Sequence, residues 1–148
     1  MSSLMSDPLG VVVADDNKDH AESLASVITL WGHDAYVCLK PQRVLEDCLK
    51  YWPDVLLLDI GFPLRSDGLG VAKVVKKHSG TKKTIVVAIS GFSDDVTIQQ
   101  AMEAGFDHYF VKPVDLDKLS SLLKCLHQKT TITAGPASDS SLSVTSML

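Results

Sequence analysis

Short apolar runs alternate along this chain with stretches whose apolar residues recur every three or four positions. Gly10 to Ala14 (GVVVA) predicts a buried strand. Between Asp19 and Trp31, the residues Ala21, Leu24, Ala25, Ile28 and Trp31 fall on one helical face, and Gly32 ends that helix. Ala35 to Leu39 predicts a second strand. Pro41 opens a helix striped by Val44, Leu45, Cys48, Leu49 and Trp52, and Pro53 closes it. Val55 to Leu58 (VLLL) predicts the third strand, and Val71, Val74 and Val75 lie on a third helix. Thr84 to Ile89 (TIVVAI) predicts the fourth strand. Ser93 is the expected N-cap of the fourth helix, with Asp94 and Asp95 in its first turn, Ile98, Ala101 and Met102 facing inward, and Gly105 at its end. His108 to Val111 predicts the fifth strand, and Asp115 caps a last helix striped by Leu116, Leu119, Leu122, Leu123 and Leu126.

Strands that are apolar on both faces belong in a parallel sheet covered by helices. Five strand–helix units therefore predict an α/β fold: a doubly wound five-stranded parallel sheet with helices on both faces. Right-handed crossovers limit the topologies, and the flavodoxin-like order 2-1-3-4-5 is the expected one. Residues 1–8 read as a leader and 9–129 as the folded domain. Residues 130–148 are rich in Ser and Thr, carry one charge (Asp139), and are expected to be a disordered tail.

A length of 148 residues suits one domain of this kind. The formal net charge of -4 speaks against nucleic-acid binding by bulk charge, so no DNA binding is expected of this chain alone. No apolar run approaches the roughly 18 residues of a membrane span, and MSSLMSDP lacks the basic and apolar parts of a signal peptide. Cys38, Cys48 and Cys125 form no CxxC pair and read as free thiols in a reducing compartment, which makes the cytoplasm the expected location. Lys73, Lys76, Lys77, Lys82 and Lys83 cluster on and after the third helix. They read as a solvated face or, more sharply, as a site that recruits an acidic partner. The histidines show no metal spacing, and His20 is expected at the surface near the first strand's end.

The chemistry collects where strands stop. The first strand ends in Asp15 and Asp16, the third in Asp59, the fourth in Ser90, and the fifth in Lys112 and Pro113. Open parallel sheets bind ligands outside the carboxyl ends of their strands. If the first and third strands are neighbours, three carboxylates meet. Two such charges about 4 Å apart repel by roughly 4 kcal/mol at an effective dielectric near 20. Either one acid keeps its proton or a divalent cation sits among them. All-oxygen ligands suit Mg2+, Mn2+ or Ca2+. A lysine and a hydroxyl beside such a cation would hold a phosphoryl group, and a carboxylate can itself be the nucleophile. Singly, each residue has a plainer reading: the acidic pair as a helix cap, Asp59 as a turn residue, Lys112 as a surface lysine. Their joint occurrence at four strand ends is what points to phosphoryl chemistry.

The segments VVVADDN, VLLLDIGFP, IVVAISG and FDHYFVKPVD resemble the four signature regions of response-regulator receiver domains of two-component signalling, most closely those of hybrid histidine kinases. The resemblance runs from about Gly10 to Gln128. It implies a phosphorelay switch in which Asp59 accepts a phosphoryl group from a phosphohistidine on a sensor histidine kinase or a histidine phosphotransfer protein. It implies Mg2+ as cofactor (Mn2+ as substitute), held by Asp15, Asp16, Asp59 and the backbone carbonyl of Gly61. Lys112 would pair with the phosphoryl oxygens. Ser90 would hydrogen-bond them and, with Tyr109, form the switch. The Lys112–Pro113 bond would be cis. A homodimer through the fourth and fifth helices is a further expectation. Such a protein catalyses its own aspartyl phosphorylation and dephosphorylation but serves mainly as a signalling switch.

Some residues depart from the family pattern. Gly68 lies nine residues after Asp59 where eight is usual, which makes the loop PLRSDG one residue longer and bears on partner docking and the placement of Arg65. Phe62 replaces Met or Leu, Ser90 replaces Thr, and Gly91 replaces Ala. None of these removes a group the chemistry needs. Two other readings stand beside this one. One is a receiver-like binding module that works without phosphate. The other is a haloacid-dehalogenase-like phosphatase, which the DIGFP segment disfavours because Gly61 stands where a second acid is needed. No output domain is read in the chain, so the expected action is through a protein–protein surface.

Overall fold

In a computed structural model, the backbone of residues 8–60 and 65–134 and the side chains of 8–60 and 69–127 are described. The elements follow in the order β1 (Gly10–Ala14), α1 (Lys18–Leu30), β2 (Asp34–Cys38), a 3-10 turn (Pro41–Arg43), α2 (Val44–Tyr51), β3 (Val55–Asp59), α3 (Arg65–Lys77), β4 (Ile85–Ser90), α4 (Asp95–Ala104), β5 (His108–Val111) and α5 (Leu116–Ala134). All strand pairs are parallel, and the sheet order is β2-β1-β3-β4-β5, as expected.

The side-chain period of two divides each central strand between two helical layers. Val12, Ala14, Leu56, Leu58, Val86 and Ala88 point to one face, where Val44 and Cys48 of α2, Ala72 and Val75 of α3, and Ala101 and Ala104 of α4 meet them. Val11, Val13, Val55, Leu57, Val87 and Ile89 point to the other, against Ala21 and Ile28 of α1 and Leu119 and Leu123 of α5. In-register pairing, such as Val12 with Leu56 and Leu56 with Val86, lines these side chains up in rows. Each fully buried Val or Leu in such a row contributes about 1.5–3 kcal/mol relative to exposure. This double burial is why β1, β3 and β4 are apolar up to the polar residues that end β3 and β4, while the edge strands β2 and β5 are only partly buried.

Several boundaries differ from the sequence expectation, each for a local reason. The N-cap of α4 is Asp94, not Ser93: its Oδ2 accepts from the Thr97 backbone N–H (3.0 Å) and the Thr97 hydroxyl (2.8 Å). That start buries Thr97, Ala101 and Ala104 and leaves Met102 45 % exposed. On α3, Ala72 and Val75 take the buried face, and Val74 turns outward at 48 % exposure. Helix α2 ends at Tyr51, and Trp52, instead of finishing the stripe, adopts a left-handed backbone (φ 50) that leaves it 68 % exposed. For a residue with a side chain that conformation costs about 1–2 kcal/mol. Helix α5 continues to Ala134, past Lys129, because adding turns to an established helix is far easier than starting one. Residues 135–148 lie outside the described residues.

One lysine of the cluster is recruited into the structure. Lys76 Nζ donates to the Thr84 carbonyl and to Asp107 Oδ2, both at 3.0 Å, and Asp107 Oδ2 also accepts from the Val86 backbone N–H (2.9 Å). Gly105 closes α4 beside this node with φ 110, and a Cβ there would stand 2.9 Å from Lys76 Cγ.

Candidate functional site

Strand order fixes the site. The direction in which successive strands are added across the sheet reverses between β1 and β3, because β1 leads outward to β2 and β3 leads the other way to β4. Asp15 directly follows β1, Asp59 ends β3, Ser90 ends β4 and Lys112 follows β5. Carboxylate oxygens of Asp15, Asp16 and Asp59 lie within 4.8 Å of one another. Asp15 and Asp59 are buried and Asp16 is exposed.

Helix capping does not consume this acidic pair. Asn17 caps α1, its Oδ1 accepting from the His20 backbone N–H (3.1 Å). The Asn17 backbone N–H in turn donates to Asp15 Oδ1 (2.9 Å), which holds that carboxylate at the head of the sheet. Burial is the largest influence on Asp15 and pushes its pKa up to about 6; the nearby charge of Asp59 adds to the rise, while the Asn17 N–H and Lys112 oppose it. His20 is at the surface, as expected, with Nδ1 3.9 Å from Asp15 Oδ2.

Lys112 Nζ donates to Asp59 Oδ2 at 2.8 Å, and its backbone N–H donates to the Ser90 carbonyl at 2.7 Å. The Lys112–Pro113 peptide bond is cis. Ser90 is fully buried, and its Oγ accepts from the Phe92 backbone N–H (2.9 Å). Tyr109, half-buried against the α2–α4 layer, donates its hydroxyl to the Phe92 carbonyl (2.7 Å). Ser90 and Tyr109 thus meet on the backbone of one residue, Phe92, a connection that strand and helix periodicity do not reveal. Gly61 and Phe62 lie outside the described residues.

Three carboxylates with one open to solvent, and no thiolate or imidazole among them, are a donor set for a hard divalent cation that retains water. The donor set therefore fits Mg2+ or Mn2+. A cavity of about 510 Å³ opens beside the acids between α1 and α5, walled by Val13, Leu24, Val27, Ile89 and Val114 and reaching Asp15, Asp59 and Lys112. In sequence its walls are indistinguishable from core positions.

A doubly wound sheet of order 2-1-3-4-5, with paired acids at its switch point and a lysine on the third acid, defines an α/β protein of the flavodoxin-like type. The chain belongs to the response regulator receiver domain family, whose model matches residues 11–124. It is similar to the transcriptional regulatory protein PrrA of Mycobacterium leprae (29% identical over 129 residues, 87% of this chain and 54% of that protein). It is also similar to the transcriptional regulatory protein YxdJ of Bacillus subtilis (30% over 114 residues, 77% and 48%) and the regulatory protein AtoC of Escherichia coli (25% over 114 residues, 77% and 24%). The chain spans about half or less of the length of these relatives. Among solved structures, the signal receiver domain of a DNA-binding response regulator from Colwellia psychrerythraea matches with a TM-score of 0.75 at 21% identity (81% of this chain, 98% of that one). The Francisella response regulator 1452 receiver domain matches with a TM-score of 0.72 at 25% identity (82% and 98%).

Proposed function

We infer that this chain is a phosphoacceptor switch in which Asp59 takes a phosphoryl group from a phosphohistidine of a sensor histidine kinase or a histidine phosphotransfer protein. The observation that carries this reading is the Lys112–Asp59 ion pair at 2.8 Å beside the carboxylates of Asp15 and Asp16. In the transfer, an Asp59 carboxylate oxygen attacks phosphorus. The P–O bond forms as the P–N bond to the donor imidazole breaks, and that nitrogen keeps the electron pair. Asp15, Asp16, Asp59 and the Gly61 carbonyl would hold Mg2+, which supplies neutralisation of charge on the transferring group. Lys112 moves its hydrogen bond from the carboxylate to a phosphoryl oxygen, holding the group as a point charge.

Ser90 links this chemistry to a surface. When its hydroxyl turns to donate to the phosphoryl group, the Phe92 N–H loses its acceptor and the Phe92–Tyr109 hydrogen bond is disturbed with it. Phe92, Val96 and Val111 are exposed apolar residues around α4 and β5, which supports a partner or homodimer surface there, extending to α5. The free thiols of Cys38, Cys48 and Cys125 support a cytoplasmic setting. Among the described residues no helix is long and apolar enough to cross a membrane.

The test is intact mass after incubation with a small acyl phosphate and Mg2+. Wild type gains one acid-labile phosphoryl group and Asp59→Asn gains none. Equal labelling of both proteins moves the acceptor elsewhere. Absence of labelling in wild type leaves a phosphate-independent binding module.

A further inference from the structure

The lysine cluster is not used by the chemistry at Asp59. Lys76 is occupied by Asp107 and the Thr84 carbonyl, but Lys73, Lys77, Lys82 and Lys83 are exposed. They lie at the end of α3 and in the loop to β4, at the pole of the sheet where strands begin and away from Asp59. The turn from α2 into β3 lies against this loop. The Thr84 hydroxyl donates to the Pro53 carbonyl (3.1 Å), the Ile85 N–H donates to the Asp54 carbonyl (2.9 Å), and a Cβ on Gly80 would meet Leu49 Cδ2 at 3.0 Å. Trp52 sits in that turn.

Trp52 is costly where it stands. A bulky side chain rarely adopts a φ of 50, and glycine or asparagine is the usual residue just past a helix end. Burial does not offset the strain, because Trp52 is 68 % exposed. Strained residues persist where the surroundings or a function require them. The acids of the adjoining turns are already engaged: Asp54 Oδ2 accepts from the Gly10 N–H (2.8 Å), and Asp107 is bound to Lys76. The pole therefore presents an exposed indole on a turn packed against the loop that carries Lys82 and Lys83.

We propose that this pole, centred on Trp52 with Lys77, Lys82 and Lys83, docks an acidic peptide segment of another protein that carries an apolar side chain. Charge complementarity selects the acidic segment, and the indole supplies a central apolar anchor of the kind that dominates interface energetics. The chain as a whole is at -4, so everything outside the patch is net negative. An extended anionic surface, whether a bilayer or a duplex, would meet that remainder as well as the patch. A short segment meets the patch alone, within the roughly 8–10 Å over which such charges act in physiological salt. The chain's own residues 135–148 carry a single charge, Asp139, and do not supply the acidity.

The experiment uses a fluorescein-labelled synthetic peptide alternating Glu and Leu, followed by anisotropy. A Trp31→Phe protein leaves Trp52 as the single indole for emission measurements. The peptide is expected to bind, shift Trp52 emission to shorter wavelength, and weaken as salt rises. A peptide with Lys in place of Glu should not bind. Lys82→Glu with Lys83→Glu, and separately Trp52→Gly, should each weaken binding about tenfold or more. Phosphoryl labelling at Asp59 should be unchanged in both. Trp52→Gly should melt at the same or a higher temperature, because glycine takes the left-handed turn without strain. Absence of binding to the acidic peptide, or binding unaffected by these substitutions, overturns the proposal. Tighter binding to phosphatidylserine vesicles or to duplex DNA than to the peptide overturns it in favour of a lipid or nucleic-acid site. A markedly lower melting temperature for Trp52→Gly makes the indole a structural element and overturns its part.

Discussion

At the scale of single residues, the acid after β1 carries a stability consequence that can be measured. Asp15 is held as an acid with a pKa of about 6, against 3.8 for an ordinary aspartate, chiefly by burial and then by the charge of Asp59. The folded protein therefore binds the Asp15 proton more tightly than the unfolded chain does. This contribution is complete below about pH 4 and is lost as pH rises through 6. Allowing for the carboxyl's partial contact with solvent, the loss is on the order of 1–2 kcal/mol. Metal-free wild type should lose stability between pH 4 and 7 relative to Asp15→Asn, and Mg2+ should raise the melting temperature more at pH 7 than at pH 5. Differential scanning fluorimetry across that range checks both, and parallel pH profiles for wild type and Asp15→Asn would count against the assignment. The identity of this acid was legible in the sequence, because it follows an apolar strand. What was not legible is that Asn17 takes over the capping duty that the acids might otherwise have served.

Among the elements, helix ends show where pattern reading stops. Ser93 and Asp94 are both good N-caps, and periodicity cannot choose between them. Packing chose Asp94, because starting there buries Thr97, Ala101 and Ala104 at helical spacing. Asp94→Ala should cost about 0.5–2 kcal/mol, whereas Ser93→Ala should stay within about 0.5 kcal/mol. Urea denaturation distinguishes the two, and equal losses would return the cap to Ser93. The other end of α4 is stricter. Gly105→Ala forces a side chain into φ 110 and against Lys76, so it should destabilise by about 1–3 kcal/mol and loosen the Lys76–Asp107 contact. The glycine was readable as a helix stop. Its pressure on Lys76 was not, since that contact joins α3 to the α4–β5 turn across 31 positions of sequence. Trp52 departs from its expected stripe for a related reason: a stripe drawn at helical spacing assumes the helix continues, and it ends one residue earlier.

For the molecule as a whole, the five apolar runs, their parallel pairing and the gathering of Asp15, Asp59, Ser90 and Lys112 all follow from one rule. Alternating strands and helices place every strand's carboxyl end on the same side of the sheet. The rule fixes where groups collect but not how they connect, and the connection through Phe92 decides how the switch should work. Ser90 Oγ holds the Phe92 N–H at 2.9 Å and the Tyr109 hydroxyl holds the Phe92 carbonyl at 2.7 Å, so the two side chains together fix the orientation of one peptide segment. On the proposed function, a phosphoryl group on Asp59 that drew Ser90 away would bias this segment between two arrangements. It shifts their populations only by the difference in its contacts with each. Tyr109→Phe removes one tether while keeping the ring. It should leave Asp59 labelling intact and move the metal-free protein part of the way toward the phosphorylated arrangement. Backbone amide NMR with and without a phosphoryl mimic at Asp59 reads this directly. The Phe92 and α4 amides of free Tyr109→Phe should lie between the two wild-type positions, and amides near Trp52, at the far pole, should not move. If the Phe92 amide of the variant coincides with free wild type and still shifts fully with the mimic, the Tyr109 tether has no part in the switch, and the signal leaves the site by another route.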